Sequence, residues 1–227
     1  MMELPQQLEE GVYKIPLILP KSLQSRSEEF QNVLIEAQKR VKKFANQFYW
    51  KEEIKRSFAD KCHIFDSKAD FDQTLIRIFG LDCSTKLPKT FCAALESRVL
   101  LAVSPELYAE AYPEGIEEGS YEKLLAHEMV HRLHIRILKG NEDAMGSIWF
   151  YEGFAIYGSG QFEDSSTKLP SSEIWDIVQQ EKRLSYKKYG TVFRYFLNKA
   201  SLHELVEQAG KKTFTSWLAQ FKGDSTV

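Results

Sequence analysis

The chain has 227 residues, 43% of them hydrophobic and 27% charged, the proportions of a soluble globular protein with one good-sized core. Thirty basic residues against 32 acidic ones give a net charge of -2, which argues against a nucleic-acid or anionic-membrane surface as its main business. Three scattered cysteines, Cys62, Cys83 and Cys92, form no CxxC pair; neither a disulfide framework nor a cysteine zinc site is expected, and a reducing, cytoplasmic setting is.

No linker interrupts the chain, so residues 1–227 read as a single domain, in three stretches: an N-terminal helix over 25–59, a sheet and a central helix over 60–140, and a helical half over 141–227. The apolar run Ile15 to Leu19 is far too short to span a membrane, and no signal-peptide pattern precedes it. From Ser25 to Ala59, Phe30, Val33, Leu34, Ala37, Val41, Phe44, Ala45 and Phe48 recur at helical spacing. "CHIFD" (Cys62 to Asp66) has the brevity of a strand, and "DFDQTLIRIFG" (Asp70 to Gly80) predicts a short helix that stops at glycine. "TFCAALESRVLLAVSP" (Thr90 to Pro105) has two apolar runs about Glu96, Ser97 and Arg98, which suits a hairpin or one strand with a polar patch.

Ser120 then supplies an N-cap, Glu122 an anion in the first turn and Lys139-Gly140 a stop, predicting a helix of about five turns over "YEKLLAHEMVHRLHIRIL". A polar connector, Asn141 to Gly146, leads to a second helix, "SIWFYEGFAIYGSG". A Ser-rich loop, Asp164 to Ser172, leads to C-terminal helices containing "YKKYGTVFRYFL" and "LHELVEQAG".

The central helix carries His127-Glu128-Met129-Val130-His131. Residues four apart share a helix face, so His127 and His131 can aim ring nitrogens at one point, as tetrahedral zinc requires of two ligands. Glu128, a third of a turn away, can reach a water activated by the metal without ligating it, the position of a general base. The competing reading makes the two rings ordinary core histidines satisfied by backbone carbonyls. Glu152 lies 21 residues beyond His131, among Trp149, Phe150, Tyr151 and Phe154, where a carboxylate is costly unless a cation meets it. Gly153 would let its helix approach the neighbour that holds the metal. The alternative is a glutamate that snorkels to the surface. His134 is excluded as a third ligand, because three successive turns span roughly 10 Å and cannot all reach one ion.

HEMVH followed by WFYEGFA resembles the gluzincin metallopeptidases, whose pattern is HExxH and then a glutamate ligand in a WxxEGxA-like helix, shared by the large zinc aminopeptidases and the smaller peptidase-MA-like proteins. The resemblance is specific over Tyr121 to Tyr157. It implies an α+β zincin-like fold: a small, mostly antiparallel sheet packed on the HExxH helix, with a helical C-terminal half. It also implies one Zn2+ per chain held by His127, His131 and Glu152, with Glu128 as base, acting on a peptide or protein substrate and on neither nucleic acid nor membrane. A metzincin would have a glycine where this chain has His134. The thermolysin-like branch often has an aspartate where this chain has Ile156, so the group that orients a histidine must lie elsewhere, and Glu142 and Asp143 are candidates. By the same resemblance Tyr186 is the donor to the oxyanion, with Tyr189 and His203 as alternatives. "AALES" faintly resembles the motif with which zinc aminopeptidases grip a free amino terminus, and would give Glu96 that role; a turn glutamate is the simpler account. A zincin-derived binding protein without turnover and a purely structural zinc site remain the other readings.

Overall fold

The structure is a computed structural model that describes residues 4–180 and 183–222. It opens with a two-stranded antiparallel ribbon, β1 (Gln6–Glu9) and β2 (Val12–Lys14), followed by the short strand β3 (Leu17–Ile18). The run read only as too short for a membrane thus supplies a strand of the main sheet. Helix α1 (Ser27–Gln47) buries Phe30, Leu34, Ala37, Val41 and Phe44 on one face, as their spacing predicts. The expected helix over 25–59 nevertheless ends at Gln47. Tyr49 adopts φ 61°, the chain reverses, and a 3-10 turn over Lys51–Ile54 leads into the sheet. No glycine or proline marks this break, because a tyrosine there takes the left-handed conformation that glycine would advertise.

Strand β4 (Lys61–Phe65) precedes α2 (Lys68–Ile78), whose N-cap Ser67 accepts a hydrogen bond from the Asp70 N–H. Strands β5 (Ala93–Glu96) and β6 (Val99–Val103) then form a hairpin whose two loop residues, Ser97 at φ 46° and Arg98 at φ 63°, both take the positive φ of a tight turn. Of the two sequence readings of Thr90 to Pro105, the hairpin is the observed one. Arg98 fastens it to the start of β4 by a two-pronged contact with the Asp60 carboxylate, at 2.9 and 2.6 Å.

The four strands of the main sheet are ordered β3-β4-β6-β5, parallel at the first two pairings and antiparallel only at β5-β6. The expectation of a mostly antiparallel sheet is therefore corrected. Helix α2 carries the chain across between β4 and the hairpin, so β6 returns beside β4 in the same direction. The buried runs of β4 and β6 match such a covered position. At the outer edge, the Val103 N–H donates to the Cys92 carbonyl, and by the alternation of antiparallel pairing Ala93 and Leu95 turn their backbone groups away from β6.

After α3 (Pro105–Ala111) comes α4 (Ser120–Ile137), the HExxH helix. Its N-cap is Gly119, in the left-handed conformation, and Ser120, expected as the N-cap, is already the first helical residue, so the helix starts one place earlier than the sequence predicts. The Tyr121 hydroxyl donates to the Val103 carbonyl and Arg132 to the Leu95 carbonyl, so α4 is pinned to both strands of the hairpin. Helix α5 (Ile148–Ser159), α6 (Ser171–Gln179), α7 (Tyr186–Leu197), α8 (Leu202–Ala209) and α9 (Phe214–Leu218) complete the mixed α+β architecture. Among the described residues no helix is long and apolar enough to cross a membrane.

Helix α5 packs against α4, α1 and α7 and is buried on nearly every side. Two glycines permit this. A Cβ at Gly158 would meet Phe44 of α1 at 2.7 Å and Val130 of α4 at 2.8 Å, and one at Gly153 would meet the Cβ of Phe193 in α7 at 2.7 Å. The approach of α5 to the histidine-bearing helix therefore depends on Gly158, whereas Gly153 serves the opposite face. Replacing Gly153 by alanine drives a methyl into Phe193 and is expected to lower stability by about 1–3 kcal/mol in a urea denaturation series.

Candidate metal centre

One face of α4 is committed to the core through Leu125, Ala126, Met129, Val130 and Leu133, and His127 and His131 emerge beside it toward α5. Glu152, only 1% exposed, comes to meet them from the middle of α5. The Nε2 atoms of the two histidines lie 3.0 Å apart, and Oε2 of Glu152 lies 3.2 Å from the first and 3.6 Å from the second. Donors 2.0–2.1 Å from a tetrahedral zinc would be separated by about 3.3 Å, so these three edges bracket the face of such a site. Among the described residues this is the one group of three or more His, Cys, Asp or Glu side chains placed to hold a metal ion.

The donor set passes a second test. The His127 Nδ1 lies 2.7 Å from Oε1 of Gln161, an amide oxygen that can only accept, so Nδ1 carries a proton and it is Nε2 of the neutral ring that can offer a lone pair to a metal. Two ring nitrogens and a carboxylate oxygen, turned toward one point and largely withdrawn from water, form a concentration of electron pairs that a shared cation relieves. Burial alone would raise the Glu152 carboxyl, but its contacts with His127 and His131 outweigh that and hold it well below the usual carboxylate range. Burial pulls His131 down and outweighs its contact with Glu152, which alone would raise it.

The group that orients a histidine is thus Gln161, just past the left-handed Gly160 that ends α5. Glu142 and Asp143, the sequence candidates, lie exposed in a 3-10 turn over Glu142–Met145. An amide in a loop carries no signal in sequence, and only the path of the chain after α5 brings it under His127.

Glu128 lines the cavities on both sides of the histidine pair, and burial pushes its carboxyl up to about 7. Tyr186, the first residue of α7, places its ring edge-on to His127 with centroids 5.8 Å apart. Tyr189 is turned elsewhere: its hydroxyl accepts from the Leu184 N–H at 2.6 Å, and its ring is buried. His203 packs on Trp50, 5.1 Å between centroids, and on Phe48, outside the cavities that Glu128 lines. Glu96, at the end of β5, shares a cavity with Glu128, His131 and Glu152. Arg183, which sequence reasoning passed over, pairs with Oε1 of Glu152 and donates to the Tyr186 hydroxyl at 3.0 Å. An isolated arginine between two helices reads as a solvated surface residue, so only the fold could disclose it.

His134 is fully buried and stacked on Phe154 at 4.2 Å, in agreement with its exclusion as a ligand. Neither of its ring nitrogens has a hydrogen-bond partner among the described residues. None of the protein-family models, curated proteins or solved structures compared with the chain matches it.

Burial lowers the His134 pKa from 6.5 to about 3. The unfolded chain therefore binds a proton there that the folded chain refuses, and stability contributed by the neutral ring is present above pH 6.5 and lost as pH falls from about 6.5 toward 3. Substituting His134→Phe keeps the stacked ring and removes two unpartnered polar atoms. It is expected to raise stability at pH 7 by about 1–3 kcal/mol and to lessen the fall between pH 7 and pH 5 in urea titrations at both.

Proposed function

We propose that the chain is a zinc-dependent peptidase with a zincin-like fold, similar to the gluzincins. One observation carries the reading: the convergence of His127, His131 and Glu152 at tetrahedral spacing, with Glu128 on the same helix beside them. His127, His131 and Glu152 would hold one zinc ion, which when bound lends Lewis acidity to a water and to the substrate carbonyl. Glu128 takes a proton from the attacking water as its oxygen bonds to the carbonyl carbon, then delivers that proton to the leaving amine as the C–N bond breaks. The Tyr186 hydroxyl donates to the oxygen on which negative charge develops. An extended peptide can be held along the outer edge of β5 through the backbone groups of Ala93 and Leu95, although the Leu95 carbonyl is already engaged by Arg132.

A structural zinc site is disfavoured, because it would close the fourth position with a protein ligand, whereas among the described residues the group is three. Within the peptidase reading, half-buried Glu96 in the same cavity favours an aminopeptidase that pairs it with the substrate ammonium. All three cysteines are free, which supports a reducing compartment such as the cytoplasm.

Purified wild type, Glu128→Gln and Glu152→Ala are to be compared for metal content and for cleavage of a mixed peptide library. The expected outcome is about one zinc per chain in wild type and in Glu128→Gln, weakened binding in Glu152→Ala, and a loss of about 10²–10⁴-fold in kcat for Glu128→Gln. Cleavage positions confined to the amino-terminal residue would select the aminopeptidase. Stoichiometric zinc with no cleavage of any peptide would replace the enzyme by a zinc-binding protein, and wild type that takes up no zinc would end the reading.

A further inference from the structure

Glu152 has two carboxylate oxygens with different surroundings. Oε2 faces the histidines, at 3.2 and 3.6 Å, while Oε1 receives Nη2 of Arg183. The same Nη2 donates to the Tyr186 hydroxyl at 3.0 Å, and the guanidinium carbon lies 5.6 Å from the centre of that ring. Arg183 stands on the segment that enters α7, with its side chain about half exposed, and it lines the cavity shared by Glu128, His131 and Tyr151.

Each contact has a directional consequence. A carboxylate with both oxygens free can rotate and bind a metal through either or both, whereas one with a strong donor on Oε1 presents Oε2 alone. A guanidinium donates and never accepts, so the Tyr186 hydroxyl must accept from it, and its own proton is then directed away from Arg183. A cation beside a site for a divalent cation opposes metal binding electrostatically, so whatever Arg183 contributes to the metal-loaded site must come from the orientation it imposes on Glu152 and Tyr186.

We propose that Arg183 is a positioning residue that sets both groups at once: it holds Oε1 of Glu152 so that Oε2 is offered to the metal, and it orients the Tyr186 hydroxyl so that its proton is available to the oxyanion. The inference rests on the metal centre and, for its second half, on peptide hydrolysis. One nitrogen then links the ligand set to the oxyanion donor, across the junction between α5 and α7.

The test uses the full chain as wild type, Arg183→Gln, Arg183→Lys, Tyr186→Phe and the Arg183→Gln/Tyr186→Phe double variant. Zinc affinity is measured by competition with a chelator, and kcat and KM are measured at saturating zinc on a peptide that the wild type cleaves. Arg183→Gln is expected to bind zinc about 10–100-fold more weakly, and to lower kcat by a similar factor at saturating zinc with KM changed less than about threefold. Arg183→Lys, which keeps the charge and one donor direction, should recover part of the zinc affinity. In the Tyr186→Phe background the kcat effect of Arg183→Gln should largely vanish, because its partner is already gone.

Wild-type zinc affinity and kcat in Arg183→Gln would overturn the proposal, and a kcat loss that multiplies in full with that of Tyr186→Phe would overturn its second half. Failure of the underlying reading is separately visible in the wild type alone, as absence of zinc or of cleavage. A wild type that binds zinc but cleaves nothing still decides the first half through the affinities.

Discussion

Glu152 is a carboxylate enclosed by an almost wholly apolar helix, and the arrangement about it is what makes that burial tolerable. An isolated ionised carboxyl in such a place would take up a proton rather than remain charged. It stays ionised because His127 and His131 reach it from α4 and Arg183 reaches it from the approach to α7. The close packing of three helices on α5 is therefore bound up with its charge: wherever α4 or α7 moves away, the carboxylate loses a partner. Gly153 and Gly158, where added methyl groups would collide with Phe193, Phe44 and Val130, keep those distances short.

The sheet enters this arrangement through α4. Tyr121 and Arg132 fasten the helix to β6 and β5 at points on either side of the histidine pair, which ties the outer edge of the sheet to the candidate metal centre. Glu128 is thereby held over the cleft between the hairpin and the helical half. Its raised carboxyl and the depressed carboxyl of Glu152 are two outcomes of the same burial, separated by whether cationic or hydrogen-bonding partners reach the group.

Two members of the candidate metal set are supported from different directions: His127 through Gln161 at the end of α5, and Glu152 through Arg183 at the start of α7. Both supports come from segments between helices, where the chain is fixed by its neighbours more than by its own periodicity. His134 shows the contrast within one helix. One turn beyond His131 it packs on the rings of Phe150 and Phe154 with no hydrogen-bond partner among the described residues, and the same residue type becomes a neutral core side chain.

Sequence alone determined what is local: the extents of α2, α4 and α5 to within a few residues, the shared face of His127 and His131, and the oddity of a glutamate among aromatics at 152. These follow from the 3.6-residue repeat and from the cost of a buried charge, both of which act over one or two turns. It did not determine that α1 stops at Gln47, since Tyr49 takes a left-handed conformation with no glycine to announce it, nor that β3, β4 and β6 run parallel, since strand direction depends on how α1 and α2 cross. Nor could it assign Gly158 to the contact with α4, Gln161 to His127, or Arg183 to Glu152 and Tyr186. Those pairings join residues 28 to 34 positions apart, or 31 and 3 across a bend, and they exist only after the helices have packed, because hydrogen bonds and ion pairs depend on distance in space while sequence records only order along the chain.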